Sequence, residues 1–202
     1  MATPVLSAER LAASYSYATY RQLIDALQAE GKTTGPQQSQ LLTDYTHLNV
    51  QRMSRLDKTV QLLPELHTAL ATLEKPYVCV VITEGWCGDA AQIVPVLEAV
   101  AQASAGKLTT HYLLRDENLD LIDQYLTDGG RSIPKLVVLE ADTLVEVAQW
   151  GPRPAPAQTM FLELKSQQLP FEEFSTQLHG WYAKDKTQST QQELAQLIQT
   201  LS

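Results

Sequence analysis

The sequence predicts an α/β fold: a central mixed four-stranded sheet in the order β-α-β-α-β-β-α, with additional helices at both ends. Three observations carry this reading. Residues 77–82 form an unbroken apolar run rich in β-branched side chains, the pattern of a strand covered on both faces. From there to about residue 168, similar runs alternate with segments of helical apolar period. An Ala141-Asp142 turn joins the last two strand-like runs, which implies an antiparallel hairpin.

Taken in order, Tyr20, Leu23, Ile24 and Leu27 recur at helical spacing, and Gly31 with Gly35-Pro36 stops that segment. Leu41, Tyr45 and Leu48 open a second helix expected to reach about residue 57. Leu66, Ala69, Leu70 and Leu73 form a third, entered at Pro64 and ended near Pro76. These three helices carry no recognisable site and are expected only to pack on the core.

After the strand at 77–82, a turn with Gly85 and Gly88 leads into a helix with Ile93, Val96, Leu97 and Val100 on one face. A second strand is expected over 108–114, then a helix through Leu119, Ile122 and Leu126 closed by Gly129-Gly130. The third and fourth strands are read over 136–139 and 144–150, and Ala157, Met160, Phe161 and Leu164 mark the closing helix. Two successive β-α-β steps imply parallel strands joined by right-handed crossovers. Beyond Pro170, one helix uses Phe171, Phe174 and Leu178. Another uses Leu194, Leu197, Ile198 and Leu201 behind a Thr190-to-Glu193 capping box. The domain reading is a helical extension over 1–76, a core domain over 77–168 and a second helical extension over 169–202.

Composition narrows the function classes. At 202 residues, 44% hydrophobic and 19% charged, the chain suits one globular domain with extensions. Its formal net charge is -8, so its surface repels phosphate backbones and anionic lipid; no nucleic acid and no membrane is expected as a partner. The first ten residues lack the pattern of a secretory signal, and the only cysteines are Cys79 and Cys87. A cytoplasmic protein with reduced thiols is the expectation. The four histidines, His47, His67, His111 and His179, show no metal-ligand spacing. Neither a metal nor a cofactor is expected.

The stretch that carries chemistry is Trp86-Cys87-Gly88-Asp89-Ala90, after a buried strand and at the start of a helix. Free N–H groups and the positive end of the helix dipole favour an anion there, which would stabilise a Cys87 thiolate. Asp89 opposes this: its carboxylate would compete for the same N–H groups and repel a neighbouring anion. The two effects leave the sign of the net shift open. Cys79, inside the apolar strand, reads as a core residue.

The motif resembles the active site of the thioredoxin superfamily, Trp-Cys-X-X-Cys at a strand-to-helix junction. Pro95, eight residues after Cys87, matches the proline of that family's active-site helix. Ile133-Pro134 matches its cis-proline, and Gly151 matches the glycine of the loop beside the site. In its Trp-Cys-Gly-Asp motif and terminal helices the chain resembles a group of bacterial thioredoxin-like proteins. The resemblance implies a thioredoxin fold over about 77–168, with Cys87 as the catalytic residue and Trp86 as a partly exposed aromatic shielding it.

Two departures matter. Ala90 stands where the second cysteine would be, and Val81 stands where many thioredoxins have a buried acid. Arg131, Lys135 and Arg153 flank Pro134 and Gly151; they either offset Asp89, or bind the carboxylate of a small thiol or peptide, or are ordinary surface cations. The loop 150–154 is read as rigid, and Arg115-Asp116-Glu117 as a solvated strand end.

The expected function is a monothiol thiol-disulfide oxidoreductase or redox-responsive protein without general disulfide reductase activity. Its expected partners are thiol- or disulfide-containing proteins or a low-molecular-weight thiol. The alternative is a non-catalytic protein-binding module around Pro134. An iron–sulfur carrier is disfavoured by the motif after Cys87 and by the charge of Asp89.

Overall fold

The computed structural model describes residues 6–201, so part of the N-terminal stretch read above for a leader lies outside the described residues. Among the described residues, four helices precede the sheet: α1 (Ala8–Ala12), α2 (Tyr17–Ala29), α3 (Gln40–Thr59) and α4 (Pro64–Ala71). The sheet strands are β1 (Tyr77–Thr83), β2 (Leu108–Leu114), β3 (Lys135–Glu140) and β4 (Glu146–Trp150). Helix α5 (Gly88–Ala103) joins β1 to β2, α6 (Leu119–Ile122) lies between β2 and β3, and α7 (Ala155–Ser166), α8 (Phe171–Asp185) and α9 (Gln188–Gln199) complete the chain. No helix among the described residues is long and apolar enough to cross a membrane.

The strand order is β2-β1-β3-β4. Strand β1 is buried along its whole length, which is why its sequence has no polar alternation. It pairs parallel with β2, Tyr77 opposite Leu108 through Thr83 opposite Leu114. It pairs antiparallel with β3, Ile82 opposite Lys135. The second expected parallel step is therefore wrong. Helix α6 is one turn of four residues, about 6 Å long, whereas returning to the start of a seven-residue strand needs about 20 Å. The chain stays at the end of the sheet where β2 finishes and enters β3 from that end.

Other boundaries shift for local reasons. The helix expected to reach Gly129-Gly130 stops at Ile122, and residues 127–130 instead close a turn in which Thr127 and Gly130 exchange backbone hydrogen bonds. Strand β4 begins at Glu146 because Leu144, at φ 54°, completes the turn from β3. The final helix begins at Gln188, so Thr190 is a buried interior residue rather than a cap. Glu193 serves elsewhere: its carboxylate accepts from Trp150 Nε1 at 2.7 Å and from the Ala155 N–H at 2.6 Å. That charge at the first turn of α7 substitutes for a cap that Pro154 cannot provide.

Helix α3 packs along α5, and α4 packs against α9. The thiol of Cys79 shares an apolar pocket with Leu97, Val100, Leu194 and Ile198, so α5 and α9 cover the same side of the sheet. After β4 the chain passes close to the start of β3. Gly151 has φ 104°, and a Cβ there would lie 2.5 Å from the Pro134 carbonyl oxygen. Both conditions exclude other residues. Gly151→Ala is therefore expected to destabilise the fold by roughly 1–3 kcal/mol, read as a lowered thermal midpoint. An unchanged midpoint would show that this approach is not a constraint.

Candidate functional site

Cys87 is the N-cap of α5, with β-region backbone angles of φ -77° and ψ 116°. Its N–H donates to the Glu84 carbonyl at 3.1 Å, closing the turn that follows β1. Its sulfur accepts from the Ala90 N–H at 3.4 Å and donates its proton to the Ile133 carbonyl at 3.3 Å. The Ile133–Pro134 bond is cis. The thiol is 7% exposed.

Burial pushes the Cys87 thiol up to about 12, with the Asp89 charge adding to it; the Ala90 N–H, Arg153 and the Asp89 N–H pull the other way and do not prevail. At neutral pH the sulfur is therefore overwhelmingly protonated. Cys87 is at rest a neutral donor to Ile133.

Asp89 does not compete for the helix N–H groups. Its carboxylate is buried, pairs with Arg153 at 2.6 Å and accepts the Tyr182 hydroxyl at 2.7 Å. Arg153, 8% exposed at its side chain, lies with its guanidinium 3.7 Å from the Phe161 ring centre and donates to Gln158 at 3.1 Å. The first turn of α5 is thereby tied to α7 and α8.

The terminal helices come equally close at Gly88. A Cβ there would lie 2.7 Å from the Tyr45 hydroxyl and 2.8 Å from His179 Nε2. His179 is held neutral: burial, with help from Arg52, pulls it down to about 3. Gln92 donates its amide to Nδ1 at 3.1 Å. The single ring proton is then on Nε2, which donates to the Tyr45 oxygen at 2.7 Å. The Tyr45 hydroxyl also shares a hydrogen bond with the Ser175 hydroxyl at 2.8 Å.

These elements border a half-open cavity of about 500 Å³ with Cys87, Gly88 and Asp89 in its lining. Leu41, Leu42 and Tyr45 come from α3, Phe161 from α7, and Phe171, Phe174, Ser175, Leu178 and His179 from α8. Trp86, half-buried, borders it with Arg115 stacked 4.6 Å from its ring centre. Arg115 also pairs with Asp116 at 2.8 Å, so this stretch is a 3-10 turn with Arg115 and Asp116 half-buried and Glu117 exposed, rather than a solvated strand end.

Of the residues singled out in the sequence, Trp86, Cys87, Gly88, Asp89, Arg131, Ile133 and Arg153 line the cavity. Arg131, exposed at the rim, is paired with Asp123 at 2.6 Å. Ala90 is buried behind Cys87 in the first turn, and Pro134 is buried beside Ile133. Lys135 and Gly151 do not line the cavity; Lys135 is buried and its pKa is pulled down by that burial. No group of three or more His, Cys, Asp or Glu side chains among the described residues could hold a metal ion.

Sequence reasoning missed the cavity walls, because Tyr45, Phe171, Phe174 and His179 read as packing or scattered residues on helices far from Cys87. It also missed Glu84. This carboxyl is fully buried in the turn after β1, accepts the Asp116 N–H at 2.9 Å, and has Oε2 without a partner.

With this geometry, the likeness to known proteins can be placed. A sequence profile described as thioredoxin matches residues 35–169, two thirds of the chain. The chain belongs to the thioredoxin family. Thioredoxin 1 of Nostoc sp. is 32% identical over 76 residues, 37% of this chain and 68% of that protein. A Pseudomonas aeruginosa thioredoxin is 41% identical over 66 residues, 33% of this chain and 57% of that protein, so the chain spans little more than half of its length. The solved structure of a Pseudomonas aeruginosa protein of unknown function matches with a TM-score of 0.54 at 16% identity, covering 91% of this chain and 96% of that one. It shares the fold.

Glu84 makes this thioredoxin-like chain's stability pH-dependent. Burial raises its pKa from 4.5 to about 7, so the folded state holds the proton to higher pH than the unfolded chain. The folding stability it supports is present below about pH 4.5 and is lost as pH rises towards about 7. Glu84→Gln is accordingly expected to exceed the wild type in stability by roughly 1–3 kcal/mol at about pH 8, the difference vanishing near pH 4. Denaturant titrations at both pH values measure it, and equal stability at the higher pH counts against a strained carboxylate.

Proposed function

We propose that this thioredoxin-like protein, resident in the cytoplasm, is a monothiol that forms one mixed disulfide at a time through Cys87. The observation that carries this reading is the lone sulfur at the start of α5, opposite the Ile133 carbonyl and on the wall of a cavity. A second thiol is out of reach. Ala90 occupies the position one helical turn on, and Cys79 lies four strand residues before the end of β1, about 13 Å away along the strand. That exceeds the distance a disulfide spans.

The exchange then needs two other sulfur compounds. Cys87 loses its proton and attacks one sulfur of R–S–S–R′. A Cys87–S–S–R bond forms, the original S–S bond breaks, and the leaving R′S⁻ takes the proton. A thiol R″SH attacks the sulfur of the bound R group, giving R–S–S–R″ and restoring the Cys87 thiol. Nothing is oxidised or reduced overall, in keeping with a chain that cannot store a disulfide of its own at this motif.

The resting thiol favours a second reading, a binding module with a silent cysteine, because so small a thiolate fraction reacts slowly. Asp89 separates the two. Asp89→Asn removes the charge that raises Cys87 and leaves Arg153 to lower it. The variant is expected to be alkylated about tenfold faster or more at about pH 8, since each pKa unit gives tenfold more thiolate. No change in rate, with Cys87 inert to every mixed disulfide offered, supports the binding module.

Insulin reduction by the wild type is expected to stay at background. Ala90→Cys should let a disulfide close between residues 87 and 90 under a mild oxidant, read as the loss of two titratable thiols, because the two residues then match the two-cysteine spacing. Wild-type activity at the level of a dithiol thioredoxin would defeat the monothiol mechanism.

A further inference from the structure

Resting on the Cys87 reading, we propose that the cavity selects a small, uncharged, aromatic thiol or disulfide carrying one hydrogen-bond acceptor, and excludes the extended segments of protein substrates. Four observations lead there.

The first is access. Tyr45 on α3 and His179 on α8 come within contact of Gly88, the residue after the reactive sulfur. The chain's own helices thus stand where a partner's segment would have to cross Cys87, which is only 7% exposed. What remains is a cavity of about 500 Å³, within the range of small-molecule sites.

The second is its surface. Tyr45, Trp86, Phe161, Phe171 and Phe174 supply aromatic walls. Phe171 and Leu41, 51% and 59% exposed, leave apolar surface at the mouth.

The third is charge. Each arginine in the lining already has a carboxylate: Arg115 with Asp116, Arg131 with Asp123, and Arg153 with Asp89. A ligand with its own charge would find no free counter-ion, while an uncharged one sacrifices none of these pairs.

The fourth is an open donor. The relay Gln92, His179, Tyr45 ends at the bond between the Tyr45 and Ser175 hydroxyls, which leaves one of their two O–H protons without an acceptor among the described residues. Ser175 is 8% exposed and lines the cavity. A buried donor of this kind calls for an acceptor on whatever fills the space.

The probe 4,4′-dithiodipyridine meets all four conditions: it is aryl, uncharged, disulfide-bonded, and has a ring nitrogen as acceptor. Attack by Cys87 forms a Cys87–S–S–pyridyl bond and releases 4-thiopyridone, which takes the proton and is read by absorbance. Rates are divided by those of N-acetylcysteine at the same pH. The expected result is saturation with this probe and a normalised rate at least about tenfold above that of the dianionic 5,5′-dithiobis(2-nitrobenzoate), a gap equal to about 1.4 kcal/mol. Ser175→Ala should erase most of the saturation with the pyridyl probe yet leave diphenyl disulfide unaffected. Phe171→Ala, at an exposed position, should weaken both. Equal normalised rates for the anionic probe, or faster reaction with a glutathionylated protein, overturn the proposal.

Failure of the chemistry is separated from failure of the pocket by Cys87→Ala and the unreactive 4,4′-dipyridyl sulfide. Calorimetric binding that is lost in Cys87→Ala/Ser175→Ala sustains the pocket whatever Cys87 does. No binding to Cys87→Ala sinks it.

Discussion

The buried ion pair between Asp89 and Arg153 is the interaction on which the site depends. Asp89 opens α5, Arg153 follows the strand β4, Phe161 of α7 lies on the guanidinium, and Tyr182 of α8 donates to the carboxylate. Three stretches remote in sequence, at residues 89, 153–161 and 182, meet at one pair of charges next to the sulfur. Such a pair adds little net stability over a well-packed apolar substitute, but losing one member leaves a buried charge at a cost of about 3–5 kcal/mol. Its effect is one of arrangement. Where Asp89 goes, the C-terminal helices must follow.

That arrangement decides the chemistry of Cys87. A helix N-terminus stabilises an anion by about 0.3–1 kcal/mol, less than one pKa unit. Burial by the surrounding helices, with the Asp89 charge beside it, instead lifts the thiol from 9.0 to about 12. The larger effect wins, and the sulfur keeps its proton, shared in a hydrogen bond with the Ile133 carbonyl. In this member of the family the motif supplies the position of the sulfur, and the added helices bury it and keep it protonated.

The central elements were legible because each depends on short-range pattern. The unbroken β-branched run around Val80 reads as a buried strand, and Gly88 with the apolar face of Ile93, Val96 and Val100 reads as the opening of a helix beside it. Strand direction was not legible in the same way. Leu119, Ile122 and Leu126 have helical spacing, but the helix ends after one turn and β3 runs antiparallel to β1. Periodicity reports which face is apolar, not how far a segment travels. The pair Thr190 and Glu193 misled for a related reason: a capping spacing has no meaning until the helix start is known, and Glu193 instead holds Trp150 and the start of α7.

By itself, the sequence determined that one thiol stands at a strand-to-helix junction, that its usual partner is replaced by Ala90, and that an acidic chain surrounds it. Those are covalent facts or consequences of local spacing. Only the tertiary structure decided that Asp89 faces Arg153, that His179 and Tyr45 reach Gly88, and that Glu84 is buried without a partner for one of its oxygens. The reason is physical. Desolvation and charge pairing depend on which groups from distant segments share a volume without water, and no local pattern in the chain records that.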